Sequence, residues 1–294
     1  MFSKSFNLEI NNKISSFNKT IEVDADKSMS IRSFLIGAIS HNISSANNVL
    51  ESEDVFSAIN CLKKLGVKIK KQKRKKYLIY GKGLGSLTAN KNTKLNFGNS
   101  GTLARLLIGI LSTTPGIEVI VNGDKSLNKR SMKKLIEILN EFGASFSPKN
   151  KFKFPLKLIS SEMPIGIMFE SGVSAQLKSA VILAGLNSFG NTKIIEKNRS
   201  RDHTENMLLK NSQSIKIKKK QKKIIVIGKR YLNSIKINIP NDPSSAAFFT
   251  ALTLLNNNSS IKIKNVGLNT TRTGFYQILK KQGVNIKFKN LKND

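Results

Sequence analysis

Four stretches of the chain repeat one pattern of hydrophobic and polar positions: a short alternating run, a tight polar turn with a small hydroxyl residue, then a nearly unbroken apolar run. They are "IEVDADKSMSIRSFLIGAIS", "LNFGNSGTLARLLIGILS", "FESGVSAQLKSAVILAGL" and "INIPNDPSSAAFFTALTLL". Alternation with period two predicts a strand, and a long apolar run with few polar interruptions predicts a buried helix. With Ser28, Ser100, Ser174 and Ser244 as markers, the stretches recur at intervals of 72, 74 and 70 residues.

A second register has nearly the same period. Amphipathic helices run into strands through "SAINCLKKLGVKIK", "KKLIEILNEFGASF", "MLLKNSQSIKI" and "GFYQILKKQGVNIKF". Gly66, Gly143 and Gly283 stand at the joints, with Ser212 in the remaining one. A glycine just past a helix fits the left-handed cap, so its recurrence marks a repeated supersecondary unit. "KIKKQKRKKYLIYG" (68–81) and "SIKIKKKQKKIIVIG" (214–228) add hairpins with a solvated lysine face. Each unit therefore reads as strand, helix, strand, helix, hairpin, and four units are expected. The fold class is α/β, built of repeated β-α-β-α-β-β units gathered into compact domains, because the period exceeds that of solenoid repeats.

Composition refines this picture. The chain has 294 residues and a formal net charge of +32. The lysines spread over nearly every segment, aromatics are 7%, and there is no Trp, so stacking platforms for bases are missing and no nucleic-acid partner is expected. A positive field that draws small anions is the better use of the surplus. No run of about 18 apolar residues occurs and "MFSKSFNLEINNKI" lacks a signal-peptide core, so the expectation is a cytoplasmic protein with no membrane partner. The one cysteine, Cys61, falls on an apolar helix position and reads as packing. One Cys and two His without ligand spacing argue against a metal site.

The hydroxyl markers Ser28, Ser100, Ser174 and Ser244 are expected at helix N-caps, and a helix start is also an anion site. The same turns carry isolated cations: Lys27, Arg32, Arg105 and Lys178, with Arg130 and Arg201 at further strand-to-helix junctions. Phosphate and carboxylate recognition needs such cations in fixed geometry. "RDHTEN" (201–206) concentrates a cation, two acids and His203; Asp202 and Glu205 read as local orienting or capping groups, and His203 as a candidate ligand contact. His41 reads as a polar residue closing the first apolar helix. In "TRTG" (271–274) Arg272 is a candidate for either a ligand loop or a helix start.

In order along the chain, "DKSMSIRSFLIGA", "NFGNSGTLARLL", "KRSMKKLIEILNEFGA", "VSAQLKSAVILAGLN", "RSRDHTENML", "NDPSSAAFF" and "LNTTRTGFYQIL" resemble the successive motifs of the 3-phosphoshikimate 1-carboxyvinyltransferase (EPSP synthase) family. "SAQLKSAVILAGLN" and "RDHTE" resemble its bacterial branch. The resemblance implies an enolpyruvyl transferase-like fold and transfer of the enolpyruvyl group of phosphoenolpyruvate to the 5-hydroxyl of shikimate 3-phosphate, without a cofactor or metal, by a monomer when complete. It implies that Lys27 lies between both substrates as the catalytic residue present, and that Ser28 and Arg32 hold the shikimate carboxylate. Ser174, Ala175, Gln176, Ser200 and Arg201 would bind shikimate 3-phosphate. Gly101, Arg130 and Gln176 would line the phosphoenolpyruvate pocket.

The family fold has six units, so about four are present here, and the resemblance implies that the aspartate base, a catalytic Glu and further Arg and Lys ligands belong to a missing C-terminal third. The isolated chain is then expected to be inactive. Residues 23–237 would form a three-repeat substrate-binding domain, residues 1–22 a strand of the second domain, and residues 238–294 that domain's first repeat, with "SSAAFFTALTLL" left uncovered. Asp24, Ala25 and Asn241 replace family turn residues, a loss only where a left-handed backbone is required. Glyphosate-tolerant relatives carry Ala at the position of Gly101, so room for that inhibitor is expected. The alternatives are a relative of UDP-N-acetylglucosamine enolpyruvyl transferase, which typically uses a loop cysteine, or a non-catalytic remnant that binds shikimate 3-phosphate.

Overall fold

A computed structural model describes residues 9, 14–209, 211 and 213–291. Within them the chain forms β1 (Asn18–Glu22), α1 (Lys27–Ile39), β2 (Ile43–Asn47), α2 (Glu53–Lys64), β3 (Lys68–Lys73) and β4 (Lys76–Tyr80). The second unit comprises β5 (Thr93–Asn96), α3 (Gly101–Ser112), β6 (Glu118–Asn122), α4 (Lys125–Lys129), α5 (Lys133–Glu141), β7 (Ser145–Ser147) and β8 (Leu156–Ile159). The third runs through β9 (Met168–Ser171), α6 (Ala175–Leu186), β10 (Asn191–Glu196), α7 (His203–Leu209), β11 (Ile215–Lys218) and β12 (Lys223–Ile227). β13 (Lys236–Asn238), α8 (Pro243–Leu254), β14 (Ser260–Lys264) and α9 (Gly274–Lys281) follow. The four repeats are as the pattern predicts, with two differences: α4 is an extra turn, and residues 284–291 form no strand.

Three four-stranded sheets share one topology, in which a leading strand pairs parallel with the next and the hairpin closes antiparallel. In two sheets the leading strand belongs to the same unit. In the third, β2 takes its parallel partner from β13, some 190 residues later, while β1 pairs in parallel with β14. The strands before α1 and α8 are thus exchanged between sheets.

The exchange forces two chain segments past each other, and the crossing is tightly stitched. Asp26 N–H donates to Pro240 O at 2.9 Å and Asp242 N–H to Asp24 O at 2.8 Å, with Ala25 opposite Asn241 in an antiparallel bridge. Neither Ala25 nor Asn241 has positive φ, so the departures from the family turn carry no backbone strain. By contrast, Gly66, Gly143 and Gly283 have φ of 82°, 91° and 84°, the left-handed caps expected from their spacing. Ser212, in the corresponding joint, lies outside the described residues.

Helices α1, α3 and α6 are predominantly apolar, and they are buried nearly all round, packed together behind the sheets in one core. Gly109 of α3 permits the closest approach: a Cβ there would stand 2.6 Å from Ala180 O of α6. The amphipathic α2 and α5 cover the core with one face each. α8 has the same predominantly apolar composition but buries only Pro243 and Ala246, leaving Phe248 78% and Leu255 85% exposed. The uncovered face expected for "SSAAFFTALTLL" is present. Cys61 is buried on α2, its Sγ 3.3 Å from Asn96 O, and burial pushes the thiol up to about 12.

One guanidinium locks the crossing. Arg272 donates to Asp26 Oδ2 at 3.1 Å, Asp242 Oδ1 at 2.6 Å and Ser244 Oγ at 2.8 Å, with its side chain 6% exposed. Both aspartates are helix N-caps, so the clamp joins the starts of α1 and α8. Arg272→Ala strands two carboxylates, one of them fully buried, and should destabilise the chain by roughly 3 kcal/mol in urea denaturation. A loss below about 1 kcal/mol would show that the stitch holds without it.

Candidate functional site

The helix starts come first, because they set the site. Ser100 and Ser174 cap α3 and α6 as expected, accepting from Leu103 N and Leu177 N. In the first and fourth units the expectation is corrected by two residues. Asp26 caps α1 through Met29 N, and Asp242 caps α8 through Ser244 N. Ser28 and Ser244 are therefore inside the first turn. A carboxylate outranks a hydroxyl there because it also complements the helix dipole and, here, meets Arg272.

A cavity of about 470 Å³ opens beside the start of α6, lined by Val173, Ser174, Ala175, Gln176, Arg199, Ser200, Arg201, Thr270 and Thr271. Five residues singled out from the sequence thus share one wall space. Ser200 is buried, and its Oγ has no hydrogen-bond partner among the described residues. Arg201 likewise has neither hydrogen bond nor ion pair among them, and partial burial together with the charge of Arg272 lowers its pKa. An unpartnered buried hydroxyl beside an unpaired guanidinium at a helix N-terminus is an arrangement that gains by accepting an anion.

A second cluster adjoins it through Gln176. The Gln176 amide accepts from Arg105 NH1 at 2.8 Å and donates to Thr102 Oγ1 at 3.0 Å. Arg105 also donates to Gly101 O, and Arg130 reaches Asn99 Oδ1 at 2.9 Å. A Cβ at Gly101 would lie 2.8 Å from Arg105 NH1 and 3.2 Å from Arg130 NH1, so two guanidinium groups flank that glycine. Burial, and then the charge of Arg130, depresses the Arg105 pKa. Two like charges held close around the start of α3 make a second place for an anion.

The sequence and the fold match known proteins. The sequence profile of the EPSP synthase family (3-phosphoshikimate 1-carboxyvinyltransferase) covers residues 11–293. The chain belongs to the EPSP synthase family. It is 38% identical over 278 residues to the 3-phosphoshikimate 1-carboxyvinyltransferase of Bacillus subtilis strain 168, covering 94% of this chain and 64% of that protein. For the enzyme of Thermodesulfovibrio yellowstonii the identity is 41% over 267 residues, with 90% and 61% covered. The solved EPSP synthase of Acinetobacter baumannii superposes with a TM-score of 0.83 at 34% identity, covering 93% of this chain and 61% of that one. The chain thus spans less than two thirds of the length of these family members.

Relative to the EPSP synthase motifs, the remaining residues are placed as follows. Lys27, the first residue of α1, pairs with Asp54 at 2.8 Å, on the first turn of α2. Arg32 is buried beneath the site and donates to Thr204 Oγ1, Ser28 O and Ser179 Oγ, its pKa lowered to about 10 by burial. Lys178 is corrected: its side chain is wholly buried against Glu196 and Glu205 and is no anion-facing cation. Arg105, Arg199, Thr270 and Thr271 join the site although the motifs did not assign them. The hydroxyl-rich "TTRT" turn was the available signal, and Arg199 donates to Thr270 Oγ1 at 3.2 Å.

The acids near the motifs are already engaged. Asp26 and Asp124 cap helices, and Glu205 is ion-paired with Lys178. Asp202 accepts from Asn269 Nδ2 at 2.7 Å, Thr271 Oγ1 at 3.3 Å and Asn206 Nδ2 at 3.1 Å, so it ties the "RDHTE" turn to the "TTRT" turn, the orienting part expected of it. Among the described residues no cluster of His, Cys, Asp and Glu could hold a metal ion, and no helix is long and apolar enough to cross a membrane. His41 lies just beyond α1, stacked on Tyr231 at 4.0 Å.

His203 lines a separate cavity at the crossing, with Asp26 and Arg272, rather than the anion cavity. Burial depresses its pKa to about 4, with Asp26 and Asp202 opposing and Arg32 and Arg272 assisting. The folded chain therefore holds the neutral ring, whereas the unfolded chain protonates near 6.5. The stabilisation is complete above about pH 6.5 and is lost as pH falls toward 4, on the order of 3 kcal/mol in all. His203→Asn should flatten that part of the profile when unfolding is followed by denaturant titration between pH 7 and 4.5. In the second cluster, Gly101→Ala should displace Arg105 or Arg130 and break the Arg105–Gln176 bond at a stability cost within about 0.5 kcal/mol, to be checked by thermal melting and by structure determination of the variant.

Proposed function

We propose that the chain takes part in transfer of the enolpyruvyl group of phosphoenolpyruvate to the 5-hydroxyl of shikimate 3-phosphate, releasing phosphate. The observation that carries this reading is the cavity itself, in which buried Ser200 and exposed Arg201 have no side-chain partners among the described residues and face Ser174, Ala175 and Gln176. Arg201 and Ser200 would hold the 3-phosphate, with the α6 start adding backbone donors. Arg105, Arg130 and the Gly101 turn would take phosphoenolpyruvate, and Gln176 would lie between both substrates, since it already bonds to the second cluster. Lys27 would leave Asp54 to reach the reacting groups, and Arg32 would act from below through Ser28.

Bound this way, the two anions lie side by side and their reacting atoms are brought together by charge and hydrogen bonding. Proton transfer to the methylene carbon and from the hydroxyl needs carboxyl groups within reach. The acids described above all hold structural partners, so the residues here supply binding and electrostatics. We infer a division into residues 23–237 as one body and residues 1–22 with 238–294 as another; the pairings of β1 with β14 and of β13 with β2 support it. We also infer a cytoplasmic protein that is a monomer when complete. Against a UDP-N-acetylglucosamine enolpyruvyl transferase stands Cys61, whose buried thiol is unsuited to act at a loop.

The decisive experiment measures phosphate release from both substrates by the 294-residue chain, alone and with the C-terminal segment of the Bacillus subtilis relative added as a second polypeptide. Calorimetry of shikimate 3-phosphate binding accompanies it. Turnover only with the added segment, and at least tenfold weaker binding by Arg201→Gln, are the expected results. Failure of the folded chain to bind shikimate 3-phosphate overturns the reading. Binding without turnover, with the added segment shown to associate, would favour the remnant, and turnover by the chain alone would mean that one of its own acids transfers protons.

A further inference from the structure

The loop that carries the cavity's free groups is held by a residue outside the cavity. Residues 197–202 join β10 to α7 and present Arg199, Ser200 and Arg201. The side chains of Ser200 and Arg201 have no partner to anchor them among the described residues. Both ends of the loop converge on one ammonium group: Lys178 Nζ lies 2.6 Å from Oε1 of Glu196, the last residue of β10, and 2.6 Å from Oε1 of Glu205, in the first turn of α7.

Lys178 has 0% side-chain exposure and Glu205 1%. A lysine is retained in an interior only when paired, and a single carboxylate would satisfy that need. Here the charge is divided between the two anchors of a single loop. Among the described residues Glu205 Oε2 accepts no hydrogen bond, and burial raises the Glu205 pKa while Lys178 opposes that rise, so the ammonium favours the charged form of that carboxylate. Lys178 also stands two residues after Gln176, and its N–H donates to Ser174 O at 3.1 Å. The turn that shows Ser174, Ala175 and Gln176 to the cavity therefore continues directly into the peg that fixes the opposite wall.

We propose that Lys178 is a positioning residue that sets the spacing between the Ser174–Gln176 turn and the Ser200–Arg201 loop, and thereby the affinity of the cavity for a phosphate-bearing ligand. The ligand part rests on the function proposed above; the spacing part does not.

The test uses Lys178→Met and the double variant Lys178→Met/Glu205→Gln, which removes the uncompensated buried charge so that the chain can fold. Leu62→Ala, a buried truncation on the distant α2, serves as a stability-matched control. Calorimetry reads the Kd for shikimate 3-phosphate and for shikimate, and amide hydrogen exchange reads residues 199–202 without ligand. The folded double variant should exchange at 199–202 at least tenfold faster, with the start of α6 unchanged, and should bind shikimate 3-phosphate at least tenfold more weakly while shikimate is little affected. Leu62→Ala should change neither reading. Unchanged exchange at 199–202, or an equal effect in the control, overturns the proposal. If the unaltered chain binds no shikimate 3-phosphate, the function proposed above fails, and exchange alone decides the role of Lys178.

Discussion

Everything in this chain hangs on a strand exchange. β1 leaves the unit whose helix it precedes and pairs with β14, and β13 returns to complete the sheet of β2. Two segments must then cross where each also begins a helix. The polypeptide meets that demand with two backbone hydrogen bonds and with aspartates that serve as caps and as anions at once. Arg272 satisfies both carboxylates, so the electrostatics of two helix starts are settled by one buried cation. The price is rigidity in sequence, because a serine cap could not have recruited the guanidinium in the same way.

That dual use explains which parts of the architecture were legible from sequence and which were not. The repeat, the apolar helices and the glycine joints follow from periodicity, since a 70-residue unit rewrites the same pattern four times. The caps of α3 and α6 were legible because Ser100 and Ser174 stand directly before the apolar runs and no carboxylate shares their turns. Those of α1 and α8 were not, because Asp26 and Asp242 owe their advantage to Arg272, distant in sequence. Lys178 misled for the same reason. Read along the chain it is one more cation near a helix start, and only Glu196 and Glu205, 18 and 27 residues on, remove it from the site. Thr270 and Thr271 became part of a cavity wall through the fold of the fourth unit, which no local pattern encodes.

A division of labour among charges emerges from these placements. The chain carries a surplus of 32 positive charges, yet the cations that frame the cavities are arginines, with lysine used at the margin. Arg32 and Lys178 are buried and consumed by internal partners, whereas among the described residues Arg201 keeps no partner and Arg105 and Arg130 keep only neutral ones. Buried, satisfied charges specify where the helices α1, α6 and α7 meet; the partly exposed ones retain their capacity for an anion. Planar guanidinium groups suit the second task because each can offer two parallel donors to phosphate or carboxylate. The diffuse lysine excess is a background field, and position does the discriminating.

The two sides of the first cavity are unlike in how they are held. Ser174, Ala175 and Gln176 belong to a helix buried among others of its kind, with Gly109 permitting backbone contact between α3 and α6. Thr270 and Thr271 belong to the unit of α8, a helix just as apolar but covered on little of its surface. They reach the opposite wall through Asn269 and Asp202, Arg199 and Thr270, and the stitched crossing beneath. A helix that buries two residues contributes little packing energy, so the position of that wall is governed by hydrogen bonds and by Arg272 more than by a core. The geometry of the anion cavity is therefore set by packing on one side and by polar contacts on the other, and it is the polar side that can respond to a bound ligand.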